Sequence, residues 1–254
     1  SKAVYKEKKA HMRSVISAVL HKEFGRFTSS PNYMLNCGLG SVFILVIGGF
    51  AIVKGEMFRV LVCELFGSSS GTEILLVGGA VVICLAAAMN DMVVPSVSLE
   101  GKSIWILQSL PVKAWDVLRA KLLVQLLVTG IPVVISDICL VAAFGGDALQ
   151  IVAVFFLTLL YTLFIALFGL LLGLKRANLT WTNELAPIKQ DLGVMISLFG
   201  GMAVAIVAGV VYVVAGWHIG ASAYLYLAAL VFAVFWVVLY RWLKKKGTAV
   251  FAEL

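Results

Sequence analysis

The sequence predicts an all-α polytopic membrane protein: six transmembrane helices, an N-terminal interfacial helix, and a short cytoplasmic helix between spans two and three. Three observations predict it. The chain of 254 residues is 62% hydrophobic and only 13% charged, against about 45–50% apolar residues in a soluble domain, and its mean hydropathy is +1.04. Six apolar stretches, at about 33–53, 74–97, 118–143, 149–174, 192–216 and 222–243, are long enough to cross a bilayer, which takes about 20 helical residues. Runs such as "IVAVFFLTLLYTLFIALFGLLLGL" do not alternate apolar and polar residues, as the strands of a membrane barrel must.

The placement of charge agrees with six spans. Of the 20 Lys and Arg, only Lys54 and Arg59 fall in loops that follow odd-numbered spans. The others lie in the N-terminal segment, in the loops after spans two and four, and in the tail. The positive-inside rule then places both termini in the cytoplasm, with the chain as a multi-pass protein of the cytoplasmic membrane. Anionic inner-leaflet lipid accounts for the basic clusters, and no basic face interleaved with aromatics suggests nucleic acid. The sequon "NLT" at 178–180 falls on the cytoplasmic side and is discounted. Three regions follow: a cytoplasmic and interfacial segment over 1–30, a six-helix transmembrane domain over 31–246, and a cytoplasmic tail over 247–254.

Taken in order, "RSVISAVLHKEFGRF" (13–27) repeats apolar residues at helical spacing and is too polar to cross. It predicts a helix lying in the membrane interface. Pro31 breaks it, so the chain turns a corner into span one. The outer loop 54–73 predicts a short amphipathic piece and a flexible Ser/Gly tip, and the outer loops "GGDALQ" and "HIGA" are minimal. On the inner side "SLEGKSIWILQSLP" (98–111) interrupts two apolar runs. Gly101 ends span two and Pro111 opens the next helical turn, where a missing N–H costs little. Residues 102–110 between them form a short helix crosswise to the bundle, carrying Ile104, Trp105 and Leu107. Trp105 suits an interfacial anchor. The breaks on both sides, and an apolar centre with charged edges, favour a docking knob for a partner. A second polar inner loop, "LKRANLTWTNELAPIKQD" (174–191), also stands out.

Two acids lie within spans: Asp91, beside Asn90 near the inner end of span two, and Asp137, beside Ser136 in span three. Burying a carboxylate at a helix centre costs about 2.5–3.5 kcal/mol on insertion scales. Asn90, Asp91 and Asp137 therefore form a candidate intramembrane polar site, with structural pairing favoured over proton coupling. Pro132 should kink span three. Gly169 and Gly173 form a GxxxG in span four, and Gly200, Gly201 and Gly209 line span five, read as packing within one bundle. Cys37, Cys84 and Cys139 read as small buried hydrophobes. The chain has no GxxxxGK[ST], HExxH or GxSxG and no clustered histidines, so neither an enzyme nor a resident cofactor or metal is expected.

The segments "KEFGRFTSSPNYMLN" (22–36), "SVSLEGKSIWILQSLPVKAWDVLRAKLL" (96–123), "WTNELAPIKQD" (181–191) and "KKKGTAVFAEL" (244–254) resemble the membrane subunits of bacterial ABC-2 type exporters. The resemblance implies six helices per half and an N-terminal connecting helix at about 11–27, including Lys22, Glu23, Phe24 and Arg26. It also implies a coupling helix over Glu100–Leu110, with Glu100, Lys102, Ile104, Trp105, Leu107 and Leu110 at the docking surface of a separate ABC ATPase subunit. ATP and Mg would be held by that partner. Larger members carry two six-span halves in one polypeptide. The sequence is similar to the C-terminal half, which leads us to expect a second transmembrane half, covalent or separate. The family's cargoes are too diverse to imply a substrate. Two other readings remain open: a proton-coupled secondary transporter using Asp91 or Asp137, and a membrane scaffold that transports nothing.

Overall fold

The structure, a computed structural model, describes residues 14–254, apart from the side chains of 68–70; the predicted start of the interfacial helix near residue 11 lies outside them. Helix α1 runs over Val15–Ser29, capped by the Ser14 side chain. It turns Val19, Glu23 and Phe27 inward and leaves Phe24 exposed. Pro31 then acts as expected of a ring that fixes φ: it sits at the first position of the short helix α2 (Pro31–Cys37), which Ser30 caps. Span one, α3, follows over Leu39–Phe66.

The predicted outer loop 54–73 is largely helix. Helix α3 runs unbroken to Phe66 and α4 starts at Ser68, with Gly67 (φ +85°) as the turn between them. At about 1.5 Å per residue, the 28 residues of α3 span about 42 Å, more than the hydrocarbon core of about 30 Å. Helix α3 is therefore longer than the apolar layer is thick.

Span two is not one helix. Helix α4 (Ser68–Ala88) stops, Asn90 and Asp91 are irregular, and α5 resumes over Val93–Ser98. The cause is Pro95, which lacks the N–H that would bond to the Asp91 carbonyl and whose ring collides with it in a continuous helix. Hydropathy alone had made 74–97 continuous.

A 3₁₀ turn at Gly101–Ser103 leads to α6 (Ile104–Ser109). Pro111 does not open the next helix. It lies in a short linker behind an extended Leu110, and α7 begins at Ala114, in keeping with the extended preference of a residue before proline. Helix α7 (Ala114–Phe144) carries Pro132 inside a continuous span. The orphaned i−4 carbonyl, that of Val128, accepts the Ser41 hydroxyl at 2.8 Å. Helix α8 (Ala148–Lys175) opens with a capping box in which Asp147 and Gln150 bond each other's backbone N–H.

The inner loop leads through a π turn (Ala186–Gln190) into α9 (Leu192–Val214). A 3₁₀ turn then leads to α10 (Ala221–Trp242), whose first N–H donates to Glu73 on α4. The predicted tail is folded: α10 continues through a π turn at Leu243–Gly247 into α11 (Thr248–Glu253). Six helices are long and apolar enough to span a membrane, and no strand occurs among the described residues.

Helix α8 is the most enclosed span, packed against α4, α5, α7, α9 and α10. Its GxxxG glycines serve that closeness. A methyl at Gly173 would strike the Val94 carbonyl of α5, and one at Gly169 would meet Val93 at 2.8 Å.

Candidate functional site

The basic end of the bundle brings together α1, the 98–111 segment, the 174–191 loop and the tail. Gly101, at φ +54°, takes a left-handed turn that a side chain resists. It redirects the chain between α5 and α6. Helix α6 has two faces. Ile104 and Leu107 are buried in a cluster with Val19, Leu174, Leu243 and Phe251. Trp105 is 62% exposed, and Ile106, Leu110 and Lys102 are exposed beside it. The predicted docking set therefore divides: Lys102, Trp105 and Leu110 face outward, whereas Glu100, Ile104 and Leu107 hold the helix in place. Ile106 completes the outer strip, and the 102, 106, 110 spacing could have identified it in the sequence.

Glu100 is 3% exposed and lies at the centre of an ion cluster. Its carboxylate accepts from Lys22 Nζ at 2.9 and 3.0 Å, from Arg26 Nη2 at 2.9 Å and from Lys121 Nζ at 2.7 Å. Lys121 Nζ also donates to Glu23 Oε2 and to the Ser96 carbonyl, both at 2.9 Å, so all three ammonium donors are used. Burial alone would raise the Glu100 carboxyl. Lys121, Arg26 and Lys22 together outweigh it and hold the group well below the ordinary carboxylate range. For Arg26, burial opposes the charge, but the Glu100 hydrogen bond and the charges of Glu100 and Glu23 leave it raised.

Connecting-helix residues Lys22, Glu23 and Arg26 are thereby fixed to the entrance of span three. Phe24 takes no part and is 43% exposed. Lys121 is a member of the cluster that no sequence motif marks. Its signal was a lysine in the second turn of an apolar run, where a cation requires a partner.

Two further segments brace this assembly. Trp181 Nε1 donates to the Ser98 carbonyl at 2.6 Å, and the Asn178 N–H donates to Ser98 Oγ at 3.0 Å, so the second inner loop closes over the first. Gln108 Nε2 donates to the Phe251 carbonyl at 3.0 Å, which ties α11 to α6.

Above the ion cluster lies the break in span two. Its free backbone groups are met by side chains, as buried backbone groups require. Gln125 donates to the Asn90 carbonyl and accepts from the Val93 N–H, and Tyr33 donates to the Met92 carbonyl at 2.5 Å. Asn90 bonds Ser41 and Thr129. Asp91 accepts from Ser197 at 2.9 Å through one oxygen, while its other oxygen is buried without a partner.

Asp137 belongs to a different site. It accepts from Thr158 at 2.6 Å, and both its second oxygen and the Ser136 hydroxyl are buried without partners. The neighbours suggested by sequence adjacency, Asn90 for Asp91 and Ser136 for Asp137, are thus replaced by Ser197 and Thr158. Among the described residues no group of three His, Cys, Asp or Glu side chains is placed to hold a metal ion.

A family model described as "Membrane protein of 12 TMs" matches residues 9–245, and no curated protein or solved structure matches the chain. A match over that much of the chain shows that it belongs to this family of twelve-span membrane proteins.

Proposed function

We propose that this member of a twelve-span membrane protein family is the six-span half of an ATP-driven exporter permease, moved by a separate ATPase that docks on α6. One observation carries the reading: α6, at the basic end of the bundle, buries Ile104 and Leu107 and leaves Trp105, Ile106 and Leu110 exposed. An apolar strip with an aromatic anchor and a charged edge suits a protein contact. The braces around α6 suit force transmission. Ile104 and Leu107 join it to α1, α8 and the end of α10, and the adjoining Glu100–Lys121 pair joins the loop to α7. A push on α6 is then delivered to the spans rather than absorbed in a loop.

The positive-inside charge distribution supports an orientation with this end in the cytoplasm. The twelve spans in the family description support a partner half of similar build. The resemblance to ABC-2 type exporters adds the ATP, the Mg and the outward direction, all supplied or set by the partner subunit.

The test replaces Trp105 and Ile106 with Glu, both at exposed positions, and purifies the protein from its native membranes. The proposal expects an ATPase to co-purify with the parent protein and to be lost from the variant, with thermal stability unchanged. Retention of the ATPase, with hydrolysis still coupled to transport, would remove the docking role.

A proton-coupled transporter is the second reading, supported by the partnerless buried oxygens of Asp91 and Asp137. It expects transport to survive ATP depletion and to cease in Asp91→Asn or Asp137→Asn. The exporter reading expects the reverse.

A further inference from the structure

We infer that a crevice between α7 and α10, at the basic end of the bundle, binds one anionic phospholipid, with its phosphate on Arg119 and an acyl chain between the helices. Helices α7 and α10 each pack against α8 and leave a gap between them. The gap is bridged at its mouth by the Trp115–Tyr240 ring pair, 5.3 Å apart and perpendicular, with Trp236 stacked obliquely on Tyr240 at 5.7 Å. Behind the rings is a crevice of about 160 Å³, walled by leucines that include Leu126 and Leu163. An apolar cavity of about 150 Å³ takes up benzene, so a run of methylenes fits. Arg119 to Leu126 is seven residues, about 10 Å along the helix. The crevice therefore points from the headgroup level towards the bilayer centre, the direction an acyl chain takes.

Charge decides the headgroup. Arg119 is exposed at the mouth and makes no ion pair among the described residues. Asp116, one turn earlier, does not reach it. The contrast with Lys121, two residues on, is direct: that cation turns inward and is fully paired. Arginine presents a planar fork that matches phosphate oxygens, and basic pockets between spans take anionic headgroups. The tryptophans and tyrosine belong at the same depth, because amphipathic rings settle at the interface. A soluble ligand would find a single charged group, Arg119, in a lining that is otherwise leucine, alanine and aromatic rings.

The experiment uses tryptophan fluorescence, since Trp115 and Trp236 flank the crevice. The purified protein is titrated in mixed micelles with phosphatidylglycerol or phosphatidylethanolamine brominated on the acyl chain, which quenches nearby indoles. The expected result is half-saturation by the anionic lipid at about one-fifth the mole fraction of the zwitterionic one, the preference one surface arginine supplies. Arg119→Gln brings the two lipids to parity, and Trp115→Phe with Trp236→Phe removes the extra quenching. Equal quenching by both lipids in the parent protein, or an undiminished preference in Arg119→Gln, would overturn the inference. Displacement of the brominated lipid by inorganic phosphate would reassign the site to free phosphate. The outcome does not depend on whether an ATPase docks on α6.

Discussion

Replacing Lys121 with Met isolates the ion cluster from everything else at the basic end. Methionine has nearly the shape of lysine and keeps the contacts of its stem, so the change is mainly the loss of the ammonium. Glu100 would retain Lys22 and Arg26, but Glu23 would lose its close partner. What remains for it are Arg26 at 3.9 Å and Lys22 at 3.6 Å. Glu23 is 5% exposed, so water cannot replace the bond. Breaking a buried pair in this way costs about 3–5 kcal/mol. At about 2–4 °C per kcal/mol for a chain of this size, the melting midpoint of the detergent-solubilised protein falls by about 6–20 °C. Adding Glu23→Gln recovers part of the loss, because it removes the charge that Lys121 left unpaired. Lys22→Met, in contrast, costs at most about 1 kcal/mol, since its side chain is 39% exposed. A melt for Lys121→Met within about 2 °C of the parent would refute the cluster as the lock that holds α1 to span three.

Other predictions follow from neighbouring contacts. The Glu100 carboxyl is held down in the folded protein, so its contribution is complete above the ordinary carboxylate range. It declines as pH falls below about 4.3. Melts recorded from pH 7 to pH 3 should steepen in that window for the parent protein and flatten in Glu100→Gln. Gln125→Leu strips the Asn90 carbonyl and the Val93 N–H of their partners; two unsatisfied buried groups cost about 2–6 kcal/mol together, read as a lower melting midpoint. Gly173→Ala places a methyl on the Val94 carbonyl and should cost about 1–3 kcal/mol by overpacking, whereas Gly49→Ala, inside α3 with nothing within 4 Å, should leave the melt unchanged or raise it slightly, alanine being the better helix former.

The sequence displayed the fold because the bilayer imposes it. Span number, helical character and the identity of the basic end follow from hydropathy and charge, and the structure has six candidate spans in the same order. What hydropathy could not display was interruption. An averaging window passes over Pro95 and the two polar residues before it, so the break in span two was invisible as a gap. It was legible only as a proline whose i−4 carbonyl needed another donor. The α3–α4 hairpin shows the opposite: charges at Lys54, Glu56 and Arg59 end the apolar run, yet charge does not end a helix, and α3 runs on to Phe66.

At the candidate site the sequence marked segments that come together in the fold, but not which of their side chains turn inward. Ile104 and Leu107 are apolar like Trp105 and Ile106, and composition does not say which pair faces inward. That depended on α11, a six-residue helix too short for periodicity to reveal. Glu100 and Lys121 are 21 residues apart, and their pairing with Glu23 and Arg26 exists only once α1 lies across the base of α7.

The central claim is that the outer face of α6 meets an ATPase, and cross-linking in the native membrane tests it most directly. A photoreactive amino acid at position 106 is illuminated in intact cells with and without ATP depletion. The account predicts a covalent adduct with a P-loop ATPase whose yield changes with nucleotide supply, and none from a control placed at Leu107. Adducts with lipid alone, or a yield indifferent to ATP, would contradict it.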